Sequence, residues 1–451
     1  MSERMFVGAS TLEADRLALA LAPARVPGGL DTDPSFFHGF ATHPVVVAQG
    51  LLALADVTGT RYFQFTPASQ RDPVLTANRD RLRAEVFSAC NGVYARLDVL
   101  GSGLDGGEIG TGTTNVDINL PTRTALGRVR RTDLLHLDVG SGGLRASTMA
   151  ATAVERPVDM PDRWVRALGN AAHLHHGARP VFTLDRTRAR RFIATLPHAT
   201  AKAERGWVVA DRTGARVSRR EVPDGVFVHG MNRLDVLRRM MIHVDGLTAY
   251  RAIVGDGGDG APSVFEVTLP GARLTIGLTS EPWRGFSGEG SLLAALAGDQ
   301  VLDDAAMLSV LLAFDPVIDV ARLAREADID ADRAAGALAV LAASGRVGWD
   351  AHEDRWFHRE LPDDPNRIER DNPRLRAARK LVAEHAVTHE HDDLWTVSEY
   401  RVHLNPAVAQ ARCTCTWYLR HGGDRGPCKH VLAARIAAGM RPDDPMQGGR
   451  P

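Results

Sequence analysis

The sequence has few cysteines, few lysines and no long apolar run, and each shortage excludes a class of protein. Only four cysteines occur in 451 residues, and three of them crowd into residues 413–428, so a disulfide scaffold is excluded. Lysine occurs only at Lys202, Lys380 and Lys429, and the formal net charge is −1. The chain as a whole therefore offers no electrostatic attraction to nucleic acid or membranes, and any such surface must be local.

The features of a membrane or exported protein are also missing. The longest mainly apolar run, residues 44–55, is shorter than the roughly 20 residues of a membrane-spanning helix, and Asp56 ends it. Residues 1–13 mix charged with small residues, whereas an export signal has a basic region followed by an apolar stretch. We therefore expect a cytoplasmic protein.

The composition predicts a globular protein of several domains. Apolar residues make up 44% of the chain and charged residues 24%. At about 150 residues per domain, we expect two to four domains. Residues 1–295 alternate helix and strand patterns, which predicts an α+β region of unknown function with room for two subdomains. We predict strands at 116–120, 134–139, 206–210, 226–229 and 264–269, helices at 45–55, 79–87, 164–172 and 234–241, and glycine-rich loops at 101–112 and 255–260.

From residue 300 the pattern changes to short helices, predicted at 302–314, 320–327 and 331–343, followed by a hairpin at 346–357. This order predicts a winged-helix-like domain at 300–361. Its third helix would read DNA, yet it offers Asp330 and Asp332 with Arg333 as the one cation, which favours a structural or protein-docking role. A linker is predicted at 362–373 and a disordered tail at 439–451.

The strongest chemical signal is Cys413-x-Cys415, twelve residues, then Cys428-x-His430. In an extended strand, residues two apart point the same way, so Cys413 and Cys415 present both sulfurs to one side. Within a helix, residues two apart diverge by about 200°. Cys428 and His430 can therefore converge only at a helix start, which Pro427 favours. The expected result is a ββα finger, in which the glycine-rich loop 419–426 turns the chain back.

Three thiolates and one imidazole would fill a tetrahedral zinc site, which argues for a structural zinc with no open position. Nearby cations would offset the negative charge of such a site, and the candidates are Arg412, Arg425 and Lys429. Two alternatives stay open. His421 could replace His430 as the fourth ligand, and the cluster could hold an iron–sulfur centre.

This spacing, together with the preceding strand and the following alanine-rich helix, resembles the SWIM zinc-finger family over about residues 395–438. With the helix predicted before it, the finger domain is expected to span residues 374–438. The resemblance implies a ββα unit, a structural zinc, and binding to DNA or proteins. In bacteria, similar proteins often accompany AAA+ ATPases and von Willebrand-type domains, so the resemblance implies a protein partner of one of these kinds.

The other polar clusters in the sequence favour a structural role over a catalytic or metal-binding one. Histidines at 173, 175 and 176, and the acidic and histidine residues at 389–393, could bind a metal but lack a helical frame on which side chains converge. Residues 110–114 lack the ending of a phosphate-binding loop and predict a turn. Ser287 and Cys90, the latter in an apolar helical pattern, have no catalytic signature.

These observations predict an α+β, multidomain, non-enzymatic zinc protein that binds a protein partner. A DNA- or RNA-binding regulator is the alternative, because the finger carries six cations against two acids over residues 399–435. The third hypothesis is an enzyme with an unrecognised site in residues 1–295.

Overall fold

The computed structural model describes residues 35–63, 73–158, 160–252, 261–288, 301–312, 315–359, 372–404, 411–422 and 425–439, the short strands between residues 11 and 31, and residues 292, 293, 296 and 361. The predicted loop at 255–260, nearly all of the predicted linker at 362–373 and nearly all of the tail at 439–451 lie outside these residues.

Strands β1 to β27 are, in chain order, Thr11–Glu13, Arg16–Ala18, Ala24–Val26, Gly29–Asp31, Ser35–Ala41, Val74–Asn78, Arg81–Phe87, Val93–Leu100, Leu104–Ile109, Thr111–Asn115, His136–Gly140, Gly143–Ser147, Thr152–Glu155, Met160–Pro161, Arg179–Asp185, Arg205–Ala210, Ala215–Ser218, Val226–His229, Gly246–Arg251, Ser263–Leu269, Ala272–Leu278, Val347–Asp350, Arg355–His358, Val387–His391, Leu394–Val397, Tyr400–His403 and Arg412–Cys413.

Helices α1 to α11 are, in chain order, Pro44–Thr58, Leu120–Gly127, Asp162–His175, Arg186–Thr195, Leu237–Met240, Val301–Leu311, Val320–Glu326, Ala331–Ala343, Pro373–Ala383, Thr416–His421 and Lys429–Ala437. Within the described part of the chain, no helix combines the length and the apolar character that crossing a bilayer requires.

Two antiparallel sheets dominate the first 290 residues. The larger has eight strands in the order β10-β6-β7-β8-β21-β20-β19-β15, and the smaller has five in the order β13-β12-β11-β5-β9. Together with the helical unit and the C-terminal sheet β24-β25-β26-β27, they confirm the predicted mixed α+β, multidomain class.

Helix α1 covers one face of the eight-stranded sheet. Its sequence is apolar on nearly every side, and most of its residues are buried. A Cβ added at Gly50 would lie 2.8 Å from Leu97 of β8, so the glycine lets the helix approach the sheet closely. The side chains of β8 that share the orientation of Leu97 therefore form the apolar core beneath the helix.

The opposite face of the same sheet is charged, although it is buried. Arg83 of β7 lies opposite Asp98 of β8, and Glu85 lies opposite Arg96, and all four are at most 1% exposed. Residues 81–86 alternate charged with apolar side chains, the period of two that a strand buried on both faces requires. The predicted helix at 79–87 is therefore wrong, and Cys90 lies in the turn between β7 and β8, outside any helix.

The hairpin β22–β23 covers this charged face through Asp350. One Asp350 oxygen accepts a hydrogen bond from Arg83 at 2.8 Å and another from Arg273 at 3.3 Å, while the other oxygen lies 3.0 Å from an Arg96 nitrogen. Burial alone would raise the pKa of Asp350, but the positive charges of Arg96, Arg83 and Arg273 outweigh burial and hold that pKa well below its usual value. Asp350 thus pairs with arginines from three strands, and it shares the neutralisation of Arg83 and Arg96 with Asp98, which lies 2.7 and 2.9 Å from them.

A second ion pair fixes the end of the hairpin. Arg359, which follows β23, donates two hydrogen bonds to the carboxylate of Glu85, at 2.7 and 2.9 Å. The Phe357 ring of β23 lies under the Arg83 guanidinium, 4.0 Å from the ring centre. Charge pairing and cation–π contact therefore hold the same element on the sheet.

The three helices α6, α7 and α8 precede this hairpin, and α8 packs on α3 and α6. A Cβ added at Gly169 of α3 would lie 2.4 Å from the carbonyl oxygen of Ala342, so α3 and α8 approach closely. This unit occupies the range predicted as a winged-helix-like domain, and its assignment to that fold stays a prediction.

Two further local predictions are wrong. Residues 116–120 form no strand, because β10 ends at Asn115 and α2 begins at Leu120. The predicted loop at 101–112 contains β9, which pairs with β5. The glycine at 107, which contributed to the loop prediction, allows β9 to approach β5 closely. A Cβ at Gly107 would lie 2.1 Å from the carbonyl oxygen of His38 in β5.

Replacing Asp350 by asparagine should strongly destabilise the chain. The substitution keeps the shape but leaves three buried arginines without their shared anion, which costs about 3–5 kcal/mol. Because the pKa of Asp350 is lowered in the folded state, the difference from wild type should be constant from neutral pH down to about pH 4 and shrink below it.

Urea denaturation across this pH range measures the effect, with Asp303→Asn on the exposed face of α6 as the control. Equal stability of Asp350→Asn and the control would refute the anchoring role of Asp350.

Candidate metal centre

The structure brings together Cys413, Cys415, Cys428 and His430. Cys413 ends strand β27, Cys415 is the N-cap of α10, and Cys428 is the N-cap of α11, whose second residue is His430. All four side chains are buried. Each ligand residue therefore lies at or next to the end of a regular element, where the backbone direction changes.

The separations fit a tetrahedral zinc ion. The four ligand atoms all lie within 4.8 Å of one another. Zinc bonds of about 2.3 Å to sulfur and about 2.0 Å to nitrogen would place neighbouring ligand atoms about 3.6–3.8 Å apart. Cys413 Sγ lies 3.8 Å from His430 Nδ1, so Nδ1 is the ring nitrogen that faces the cluster. With four protein ligands, the site holds a structural zinc and offers no position to a substrate.

Each cysteine sulfur also accepts a backbone N–H. Cys415 N donates to Cys413 Sγ at 3.5 Å, Tyr418 N to Cys415 Sγ at 3.4 Å, and Val431 N to Cys428 Sγ at 3.5 Å. The last two bonds are the N-caps of α10 and α11. These donors spread the negative charge that three thiolates bring to a zinc site.

The three thiols differ in acidity because they share hydrogen bonds. A hydrogen bond from Cys413 outweighs burial and lowers the pKa of Cys428 to about 4. The same contact and burial raise the pKa of Cys413. Cys428 at the start of α11 is thus the sulfur that most readily becomes a thiolate, as expected at the positive end of a helix.

The imidazole of His430 is held from the other side by the Tyr400 ring of β26, with ring centres 4.4 Å apart and planes inclined by 31°. The helix that carries His430 packs on the sheet β24–β27 through buried Val431 and Leu432. Stacking and helix packing together fix the direction of the ring.

Arg374 on α9 is a positioning residue that sequence reasoning did not identify. It donates hydrogen bonds to the carbonyl oxygens of Arg425 and Pro427, at 2.8 and 2.9 Å, and its guanidinium lies 4.8 Å from the centre of the Trp417 ring. It therefore ties the segment before Cys428 to the helix after Cys415. Because Arg374 is far from the ligands along the chain, the local sequence gives no indication of this role.

The structure corrects parts of the predicted finger. The prediction that Cys413 and Cys415 lie in the same strand is wrong for Cys415, because the strand ends at Cys413 and Cys415 is the N-cap of a helix. That helix, Thr416–His421, also occupies the start of the predicted loop 419–426. His421 lies outside the ligand cluster, with its ring 5.1 Å from that of Trp417.

The other candidate metal-binding clusters pack against neighbouring side chains and have structural roles. His175 is buried between Tyr94 and Phe286, and burial together with the charge of Arg96 lowers its pKa to about 3, which keeps the ring neutral. His176 stacks on Trp356. Within the described residues, neither these histidines nor residues 389–393 form a group that could hold a metal ion.

Replacing Cys428 by serine should lower the zinc content of the purified chain from about one ion to well below one, because the site loses one of its four ligands. The finger elements α9, β24–β27, α10 and α11 make their main contacts with one another. Melting should therefore stay local and leave the eight-stranded sheet folded.

Elemental analysis measures the zinc, limited proteolysis within residues 372–439 reports the local structure, and far-UV circular dichroism reports the global structure. His421→Ala is the control and should keep its zinc. Full zinc retention in Cys428→Ser, or loss in His421→Ala, would contradict this ligand set.

Comparisons with known proteins agree with this geometry at the C-terminal end. Residues 400–439 match the SWIM zinc finger family, which favours zinc over the iron–sulfur alternative. No curated protein matches the sequence. Among solved structures, the PCNA2–PCNA3 complex of Sulfolobus tokodaii is 9% identical, with a TM-score of 0.37 over 54% of this chain and 98% of that one.

Proliferating cellular nuclear antigen from Entamoeba histolytica is 10% identical, with a TM-score of 0.36 over 55% of this chain and 99% of that one. Both similarities are weak and carry no functional conclusion. Residues 400–439 are a SWIM zinc finger with a Cys3His zinc site.

Proposed function

We propose that the chain is a non-enzymatic zinc protein that binds a protein partner through its C-terminal half, with the N-terminal sheets as scaffold. The observation that carries this proposal is the outer face of α6. Leu302, Met307 and Val310 on this face are 37%, 38% and 82% exposed, while Ala305 and Leu308 on the inner face are buried. The exposed Asp303 lies on the same face, so a partner would meet apolar side chains beside one carboxylate.

The spacing of these side chains suits an apolar helix of the partner, since residues 302, 306, 307 and 310 share one side of α6. Family resemblance suggests an AAA+ ATPase or a von Willebrand-type protein as the source of that helix. The closed zinc site supports a non-enzymatic role, because no ligand position is left for a substrate.

The environment of α8 also supports protein docking over DNA reading. This helix packs between α3 and α6, and most of its second half is buried. Its Arg333 pairs with Asp304 of α6, 2.5 Å away. The exposed residues of its first half, Ala331, Asp332 and Ala335, offer no positive charge to a DNA groove.

A DNA- or RNA-binding role is the second candidate, and the finger surface favours it. Five cations of the finger are exposed, and no described carboxylate forms an ion pair with any of them: Arg401, Arg412, Arg420, Arg425 and Lys429. Such cations attract phosphate groups.

Purification of the tagged, full-length chain from its own cells separates the two candidates. Wild type should retain specific proteins, and Val310→Asp should lose them, because a charge on α6 opposes an apolar partner. Met149→Asp is the matched control, since Met149 is 85% exposed on the turn between β12 and β13.

Nuclease treatment of the wild-type complex should leave the proteins bound. Retention by Val310→Asp equal to that of wild type, or release by nuclease, would refute protein docking on α6, and release would support the second candidate.

A further inference from the structure

Arginine is concentrated in two segments that the finger and α6 do not involve. Residues 120–131 and 186–195 contain eight arginines and no aspartate or glutamate, although the whole chain has a net charge of −1. They include α2, the residues that follow it, and α4. Positive charge is therefore concentrated in these two segments. Because the net charge of the whole chain is close to zero, an anion-binding surface must be a local concentration of this kind.

These segments lie in one helical layer. Helix α1 contacts α2 and α5, and α4 contacts α5. Asp56 of α1 accepts hydrogen bonds from Arg123 of α2 at 2.8 Å and from Arg239 of α5 at 2.6 Å. Because α1 covers the sheet face opposite the hairpin, this layer lies on the other side of the sheet from Asp350.

Direct contacts extend the layer to α4. Arg190 of α4 donates to the carbonyl oxygens of Ile242 and Val244, at 2.6 and 3.1 Å. The pKa of His243 is lowered by burial and then by the positive charges of Arg190 and Arg131. Helix α5 thus links the two arginine segments, since it contacts α4 and also α1, on which α2 packs.

The charge of the layer is only partly neutralised. Residues 120–133, 185–195 and 235–245 contain ten arginines, and these ranges with Asp56 contain five carboxylates. Asp185 pairs with Arg188, and Asp245 pairs with Arg186. Four arginines are exposed, with no described carboxylate within ion-pair distance of the side chain: Arg128, Arg130, Arg131 and Arg191.

We propose that this arginine surface, formed by residues 120–133, 185–195 and 235–245, binds the phosphate backbone of double-stranded DNA without reading its sequence. Guanidinium groups bind phosphate oxygens through paired hydrogen bonds and displace counterions from the duplex. An anionic membrane fits less well, because a membrane-surface helix needs an exposed apolar face and the apolar side chains Ala189, Phe192 and Ile193 of α4 are buried.

This inference goes beyond protein docking on α6, since it assigns a different ligand to a different surface. It also differs from nucleic-acid binding by the finger. Both surfaces offer exposed arginines, so removing an equal number of charges from each one decides between them.

Fluorescence anisotropy of the full-length, zinc-loaded protein with a labelled duplex of about 30 base pairs tests the proposal, at about 50 mM and about 200 mM salt. Arg128→Ala, Arg131→Ala and Arg191→Ala combined should weaken binding at least tenfold. The same variant should reduce the slope of log affinity against log salt by about 2–3, as the loss of three phosphate contacts requires.

The matched control combines Arg401→Ala, Arg412→Ala and Arg420→Ala on the finger and should stay within about twofold of wild type. Two unrelated duplex sequences should bind equally. Loss of binding in the finger variant alone would overturn the inference in favour of the second candidate function.

No binding at the lower salt concentration, or arginine-dependent binding to anionic lipid vesicles with none to the duplex, would also overturn it. None of these outcomes depends on Val310, so the test is independent of protein docking on α6.

Discussion

Burial of charge under the hairpin β22–β23 is the constraint on which the arrangement of this chain depends. Arg83, Arg96 and Arg273 come from three neighbouring strands, and their guanidinium groups have almost no access to water. Arginine cannot release its proton, and within the sheet the single carboxylate of Asp98 pairs with both Arg83 and Arg96, so burial of all three arginines requires a further anion above the sheet. Asp350 supplies that anion from an element far along the chain, which fixes the helical unit on the sheet. Buried ion pairs add little net stability but strongly disfavour any arrangement that separates them.

The finger meets a different constraint. Its own elements supply only a small apolar core, with Val402, Val431 and Leu432 among the buried residues, and small units of this kind need a cross-link. A zinc ion held at the ends of β27, α10 and α11 supplies it, while backbone N–H groups and Arg374 orient the chain around the ligands. The metal therefore stabilises a fold, and function must be sought on the surfaces that this fold presents.

Sequence reasoning predicted what is encoded locally and missed what depends on distant partners. The ligand spacing and the start of α11 are local, and so the structure places those residues together. The strand β7 could have been predicted, because residues 81–86 alternate charged and apolar side chains with a period of two, although the element predicted for this stretch is a helix. The role of the glycines in β9 depends on the backbone at His38, and the burial of Arg83 depends on Asp350. Neither partner can be identified from local sequence.

Three candidate binding surfaces follow from this architecture: the outer face of α6 with its apolar side chains, the basic finger and the arginine layer over α1. None of these surfaces requires the zinc to bind a ligand directly, so the central claim is that the zinc is purely structural. X-ray absorption at the zinc edge of the purified chain tests it most directly. Three sulfurs at about 2.3 Å and one nitrogen at about 2.0 Å are expected. A bound water oxygen, or fewer than three sulfurs, would contradict it.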